Sequence, residues 1–243
     1  IGVNGSRRFH GGSPTVERPG AHLVLTDGKE RIQPQQTIAL AQQPIQPGFS
    51  DAIALQELGL LFLGELGDLA LYRGADRAIL LTDRKTAGSD TLATSYVLKC
   101  AVERIGEYDL VFCGRQAIDG DTAQVGPQVA EKLGLPQITY AESIVSLDAT
   151  EIVVQRAFPL GKETVRCTLP CLLTVVASAN VPRPPSIRRM MAHKLAAIPQ
   201  EYGAILERWD EFETEEALDS YLAQRDLRIP VWSGAEIDVD YER

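Results

Sequence analysis

The stretch RAILLTDRKTAGSDTLATSYVLKCAVERIGEYDLVFCG, residues 77–114, decides the fold class. It opens and closes with short apolar runs, at 77–82 and 110–113, and bounded runs of this kind predict buried strands. Between them, Asp90 is a candidate N-cap, and apolar residues recur at helical spacing until Gly106. Strand, helix and strand in this order predict a parallel βαβ unit.

The same alternation continues on the C-terminal side. A helix is predicted over 123–133 and a strand over 138–143, and three further strands are predicted at 151–156, 164–169 and 172–177, the first two as a hairpin. Upstream, apolar residues at every third position predict an amphipathic helix that begins near Ser50 and includes Ala52 and Leu55. The sequence of residues 1–50 has few signals of helix or strand, so little structure is predicted there.

Prolines at 182, 184 and 185 are expected to end the sheet. The fold class is therefore α/β, with a parallel-sheet domain over 1–185 and a C-terminal extended or helical arm over 186–243. Residues 201–243 hold 13 Asp and Glu against 4 Arg, a difference of −9 that equals the net charge of the chain. The acidity is confined to the arm, and the neutral body has no basic stripe for nucleic acid.

Composition narrows the setting. No apolar run reaches the roughly 18 residues of a membrane span, and no apolar segment follows Arg7 and Arg8, so a secretory signal is not predicted and we expect a cytoplasmic protein. The cysteines, at 100, 113, 167 and 171, lie in apolar segments without zinc spacing and are expected to be buried free thiols. No histidine is assigned a catalytic or metal-binding role.

The segment with chemical potential is CGRQAIDGDTAQVG, residues 113–126, because it joins the carboxyl end of a predicted parallel strand to a helix. Gly114 and Gly120 allow close backbone approach to a ligand, and the amides of residues 122–125 are expected to form the first turn of the helix, where a phosphate binds well. Local chemistry equally allows a structural turn in which Asp121 or Thr122 is only an N-cap.

This segment strongly resembles the nucleotide-binding stretch of electron-transfer flavoprotein β subunits. The blocks GADRAILL at 74–81, GSDTLATSY at 88–96 and NVPRPPS at 180–186 are similar to the same family, so the resemblance covers roughly residues 74–195. It implies an adenine-nucleotide-binding, Rossmann-like domain that packs against an FAD-carrying α subunit. The cofactor-binding residues it implies are Cys113, Gly114, Ala117, Asp119, Gly120, Asp121, Thr122, Ala123, Gln124 and Val125.

In respiratory-type members of that family the nucleotide is AMP, and in bifurcating members it is a second FAD. The sequence DGDTAQVGP at 119–127 resembles that of the bifurcating group more closely, so we expect FAD, with AMP as the alternative. The resemblance implies electron relay between a dehydrogenase or NADH and an acceptor such as ferredoxin or quinone. The rival from another class is a homodimeric stress-type protein that binds ATP or AMP.

A second candidate surface lies just beyond the prolines. Basic residues and methionines alternate there without an acid, which suits docking to a protein partner, although a solvated helix that covers the sheet edge is the plain alternative. By resemblance this is the loop that engages dehydrogenases. Its predicted partner-binding residues are Arg183, Ile187, Arg188, Met190, Met191 and Lys194.

Overall fold

The computed structural model describes residues 37–41, 51–55, 70–117, 120–179 and 184–242, with the backbone alone described in the first two ranges. Nine described strands form one mixed sheet in the order β7-β6-β5-β8-β4-β1-β2-β3-β9. The strands are β1 (Thr37–Ala41), β2 (Asp51–Leu55), β3 (Arg77–Leu81), β4 (Leu110–Gly114), β5 (Gln137–Leu147), β6 (Glu151–Phe158), β7 (Gly161–Thr168), β8 (Cys171–Val175) and β9 (Val231–Trp232).

All neighbouring strands from β5 across to β9 pair in parallel, whereas β6 and β7 add an antiparallel extension. The α/β class is thus confirmed, with a sheet that is mixed at one side. The predicted βαβ unit is present as β3, α1 (Thr91–Ile105) and β4, and the Asp90 side chain accepts a hydrogen bond from the Ala93 amide at the start of α1. Gly106 ends that helix, as predicted.

Two N-terminal expectations need correction. The helix predicted from Ser50 is wrong over 51–55, where β2 pairs with β1 on one side and with β3 on the other. A short apolar run is compatible with either structure, and parallel pairing on both sides selects the strand. Strand β1, within a region for which little structure was predicted, lies at the centre of the sheet. The rest of the predicted helix falls outside the described residues.

Helices pack on the sheet in two large apolar clusters, and strands alone form a third. Helices α1 and α2 (Val125–Leu133) pack on β4 and β8 through residues that include Val102, Val111 and Leu172. The hairpin β6–β7 closes the cluster formed by strands alone, around Phe112. The four cysteines are buried and free, as predicted. Among the described residues, no helix is long and apolar enough to cross a membrane.

The C-terminal segment returns to the sheet. It contains α3 (Ile187–His193), α4 (Tyr202–Leu206) and α5 (Glu215–Gln224), and it ends with β9 paired in parallel to β3. Leu218 and Leu222 of α5 are fully buried in a cluster with Leu80 of β3, and Trp209 and Tyr221 pack against that cluster. The predicted boundary between a sheet domain and an arm, at residues 185–186, stays a prediction. It can be tested by removing one of these contacts.

Candidate functional site

The loop after β4 lies at the point where the sheet changes direction. From β1 the chain builds β2 and β3 on one side, and then returns to place β4 on the opposite side of β1. Connections that leave adjacent parallel strands in opposite directions open a crevice at the carboxyl ends of those strands, where open α/β sheets bind ligands. The described loop residues, 115–117 and 120–124, follow Gly114, the last residue of β4, and so border this crevice.

Helix α2 begins two residues later than predicted, at Val125 and not at residue 123. Its N-cap is Gln124, which makes no side-chain hydrogen bond to the first turn, so the alternative in which Asp121 or Thr122 is the N-cap is wrong. Asp121 and Ala123 adopt positive φ values of 50° and 55°, which keeps the chain out of the helix until residue 124.

Gly126 brings the start of α2 against the sheet. A Cβ added to Gly126 would lie 2.6 Å from Cγ2 of Thr174 in β8 and 3.4 Å from Cβ of Cys113 in β4. Any other residue would therefore push the helix away from the strands. At Gly120 an added Cβ meets no atom of the described residues within 4 Å, its chain neighbours aside.

A chain of side-chain hydrogen bonds holds the carboxylate of Asp121. Nε of Arg115 donates to Oε1 of Gln116 over 2.8 Å, and the Gln116 amide donates to Oδ1 of Asp121. The observed partner is a side-chain amide. Sequence reasoning missed Arg115 and Gln116 because no spacing rule shows which side chains meet within an irregular loop.

The starts of the two helices are linked at this edge. Oγ1 of Thr91, the first residue of α1, donates to Oε1 of Gln124 over 3.0 Å. With its oxygen engaged, the Gln124 side chain presents its amide nitrogen as a donor. Thr91 follows the predicted cap Asp90, but the sequence does not reveal that the two helices begin side by side.

A bulge in β5 borders the loop on the other side. The register between β5 and β8 slips between Ile138 and Ala141, and Tyr140 in the bulge has a φ of 59°. Its amide donates to Oγ1 of buried Thr174 over 3.1 Å. The Arg115 guanidinium lies over the Tyr140 ring at 5.7 Å from the centroid. Thr174 therefore contacts both the bulge and the start of α2.

The structure places the predicted cofactor residues in three environments. Cys113 is buried in the sheet, and burial raises the pKa of its thiol to about 12, so it serves as a packing residue beneath the loop. Ala117, Ala123 and Val125 are half-buried. The exposed members are Gly114, Gly120, Asp121, Thr122 and Gln124. Asp119 lies outside the described residues.

The donors at and just before the start of α2 are of the kind that bind a phosphate group. The capping side chain leaves the amides of Val125 and Gly126 without a bond from it, and Pro127 has no amide to satisfy. The Thr122 hydroxyl and the Gln124 amide add donors, and the Asp121 carboxylate is tied to Gln116. Backbone donors at a helix start, together with the helix dipole, favour an anion.

The second candidate surface is the short helix α3, none of whose residues is buried. Ile187, Met190 and Met191 are 79%, 40% and 62% exposed, and Arg188 is exposed beside them. Lys194 lies over the Trp209 ring at 4.7 Å. Arg183 lies outside the described residues.

Arg189 fastens this helix to the body of the protein. Its guanidinium donates to the Ala75 carbonyl over 2.9 Å and pairs with Asp76 at 3.4 Å, and the Ser186 amide donates to the Tyr72 carbonyl. Ala75 and Asp76 immediately precede β3, so α3 is held at the amino end of the parallel strands. The loop after β4 lies at the opposite, carboxyl end.

The fold and this edge together define an α/β protein with an exposed loop between a strand and a helix at the carboxyl edge of its parallel strands. The family model of the electron transfer flavoprotein domain matches residues 49–201, and the chain belongs to that family. The resemblance on which the sequence analysis relied is thereby confirmed.

Similar proteins carry one of two names, electron transfer flavoprotein subunit beta or protein FixA. The chain is 54% identical over 119 residues to the electron transfer flavoprotein subunit beta of Thermoanaerobacterium thermosaccharolyticum, covering 49% of this chain and 45% of the relative. It is 50% identical over 121 residues to the subunit of the same name from Clostridium acetobutylicum, covering 50% and 46%. Protein FixA of Sinorhizobium fredii is 39% identical over 183 residues, covering 72% and 62%. The chain spans about half the length of the first two relatives.

Proposed function

We propose that the chain acts as the β subunit of a heterodimeric electron-transfer flavoprotein and binds an adenine nucleotide at residues 114–126. The observation that carries the proposal is the loop itself, in which Thr122 and Gln124 are exposed just before α2, no side chain caps the first turn, and the nearby carboxylate of Asp121 is held by Gln116. Membership of the family and the names of the similar proteins support the subunit type.

In this proposal the residues divide the work by position. The amides at the start of α2 and the Thr122 hydroxyl hold the phosphate, and Gly120 leaves room for it. Gln124, oriented by Thr91, donates from its side chain. When the nucleotide is FAD, its flavin supplies the redox chemistry, and the protein supplies position and electrostatics. AMP in the same place gives a structural nucleotide.

The amino-acid sequence of residues 119–127 favours FAD, and with it the bifurcating type, in which NADH donates electrons and ferredoxin or quinone accepts them. The simple, AMP-binding type is the alternative. The protein partners in both cases are an FAD-carrying α subunit and a dehydrogenase. We assign the docking site for the dehydrogenase to α3, because its exposed methionines and basic residues suit contact with a protein surface.

The deciding experiment is the adenine-nucleotide content of the chain purified with the electron-transfer flavoprotein α subunit of the same organism. Two FAD per heterodimer support the bifurcating type, and one FAD with one AMP supports the simple type. A heterodimer with FAD only in the α subunit and no other adenine nucleotide contradicts the binding proposal. A colourless homodimer with ATP or AMP favours the stress-type rival.

Gly120→Val tests the loop directly. Its Cβ would meet no atom within 4 Å in the part of the chain that the structure describes, its chain neighbours aside, so the variant should fold normally and lose the nucleotide. Gly203→Val is the matched control, because it also adds a side chain in open space, but on α4. Nucleotide content equal to that of the control would contradict the assignment of the loop as the nucleotide-binding site.

Ile187→Glu combined with Met191→Glu tests the α3 surface. Both side chains are exposed and contribute little to folding, so the heterodimer should assemble with its full nucleotide content. Electron transfer with the dehydrogenase should fall by about tenfold or more, in line with the loss of anchor residues at an interface. Leu160→Glu, at a site 95% exposed in the turn between β6 and β7, is the control. Equal rates in both variants contradict the assignment.

A further inference from the structure

The bulge in β5 holds an unusual residue. Tyr140 has a φ of 59°, in the left-handed region that bulky side chains rarely adopt, and it lies between the paired residues Ile138 and Ala141. A backbone of this kind persists only where its surroundings hold it, and it is often found beside functional sites. Here the hydrogen bond from the Tyr140 amide to buried Thr174 holds it.

The ring that the bulge presents faces one cation. The Arg115 guanidinium lies 5.7 Å from the centroid of the Tyr140 ring, within the range of a cation–π contact. Arg115 is exposed and would otherwise sample many rotamers. With its Nε bonded to Gln116, it is restrained by two neighbours at the mouth of the loop.

The restrained cation acts on the charge of the loop. Asp121 is an acid close to the proposed phosphate position, and a free carboxylate there would repel the ligand. Its Oδ1 accepts from Gln116, whose own oxygen accepts from Arg115, so the acid is tied to a fixed positive charge. Loss of the ring would release Arg115 and, through Gln116, loosen Asp121.

We propose that Tyr140 is a positioning residue for the nucleotide loop: its ring holds Arg115, which through Gln116 fixes the Asp121 carboxylate and keeps a cation beside the bound phosphate. This inference rests on the proposed function and extends it to a residue in another strand, 26 positions from Gly114. Tyr140 itself touches no substrate in this scheme.

The test uses the full chain with its α subunit, stripped of the β-site nucleotide, and AMP as the titrant, because AMP and FAD share the adenosine phosphate. Tyr140→Phe keeps the ring and should bind AMP within about twofold of the parent. Tyr140→Asn removes the ring but tolerates the left-handed backbone, so it should fold as stably and bind roughly tenfold more weakly. Melting temperatures provide the check on folding.

A double-mutant cycle separates positioning from general support. Arg115→Ala should weaken AMP binding by about the same factor, and Tyr140→Asn should add no further loss in that background, because it acts through Arg115. Added salt should weaken AMP binding less in both variants than in the parent. Losses that multiply in the double variant, or unchanged binding by Tyr140→Asn, overturn the inference. A parent that binds no AMP and retains no adenine nucleotide refutes the proposed function instead.

Discussion

The glycines in and next to the loop differ in how much packing depends on them. Gly126, in the first turn of α2, is the one at which packing requires the absence of a side chain. Gly126→Ala should lower the free energy of unfolding by about 1–3 kcal/mol, because its Cβ would press on Thr174 and Cys113 in a closely packed region. Gly120→Ala is the matched control and should change stability by less than about 0.5 kcal/mol. Urea unfolding compares the two, and equal costs would show that α2 is free to shift.

Because the Cys113 thiol is buried, we expect the free energy of unfolding to depend on pH in the alkaline range. Burial raises its pKa from 9.0 to about 12, so the folded state favours the protonated thiol. The unfolded chain releases this proton first, and the stabilisation is therefore complete below pH 9 and lost progressively as pH rises toward 12. Cys113→Ala should show a shallower decline in unfolding free energy over this window. A decline of the same slope would assign the effect to other groups.

The sequence identified the loop but not its internal contacts. Gly114, Gly120 and Gln124 were predicted from their place between a strand and a helix, and their exposure fits that prediction. Tyr140 and Thr91 were not, because a bulge follows from a register mismatch and a contact between helix starts follows from packing. Neither leaves a pattern in a single sequence.

Among the structural elements, β9 depends on the connection between β3 and α1. Asp83 accepts hydrogen bonds from the Tyr241 hydroxyl at 2.5 Å and from the Gly234 amide at 2.9 Å, and it also caps the turn at Lys85. The Tyr241 hydroxyl, followed by the Lys85 amide, holds the pKa of Asp83 below its ordinary value.

Asp83→Ala should therefore loosen the C-terminal strand. Because the folded pKa is lowered, the stabilisation is present at neutral pH and is lost as pH falls through that lowered value. At pH 7 the variant should lose roughly 1–3 kcal/mol, which is typical for hydrogen bonds to a charged group, and the difference from the parent should shrink in acid. Hydrogen exchange at the Leu80 amide, which donates to Pro230, reports the loosening. Unchanged exchange at pH 7 would rule out this role.

Helices and strands with complete local signals were predicted well. Helix α1 has its Asp90 cap, a periodic face and a terminal Gly106, and the structure confirms all three. The five residues of β2 and the two of β9 are too short to show a period, and their pairing with distant strands decides their conformation. Helix α2 starts late because positive φ values at 121 and 123 precede it.

At the level of the whole chain, the C-terminal arm shares its core with the sheet. Leu222→Ala should lower the unfolding free energy by about 2–5 kcal/mol, since the side chain is fully buried beside Leu80. Leu160→Ala, 95% exposed, should cost almost nothing. If sheet and arm are one unit, fluorescence of Trp232 and circular dichroism should report a single transition that shifts together in Leu222→Ala. Two separate transitions would support a division at residues 185–186.

One consequence of the antiparallel extension concerns association between copies. Strand β7 is the last in the sheet order, and its outer edge could template pairing with a strand of another molecule. Its exposed side chains are instead heavily charged: Lys162 pairs with Glu142 at 2.6 Å, and Arg166 pairs with Glu151 at 3.4 Å. A foreign strand laid along this edge would have to desolvate those ions. The long open margin is in this way protected against aggregation, while the opposite margin is only two residues long.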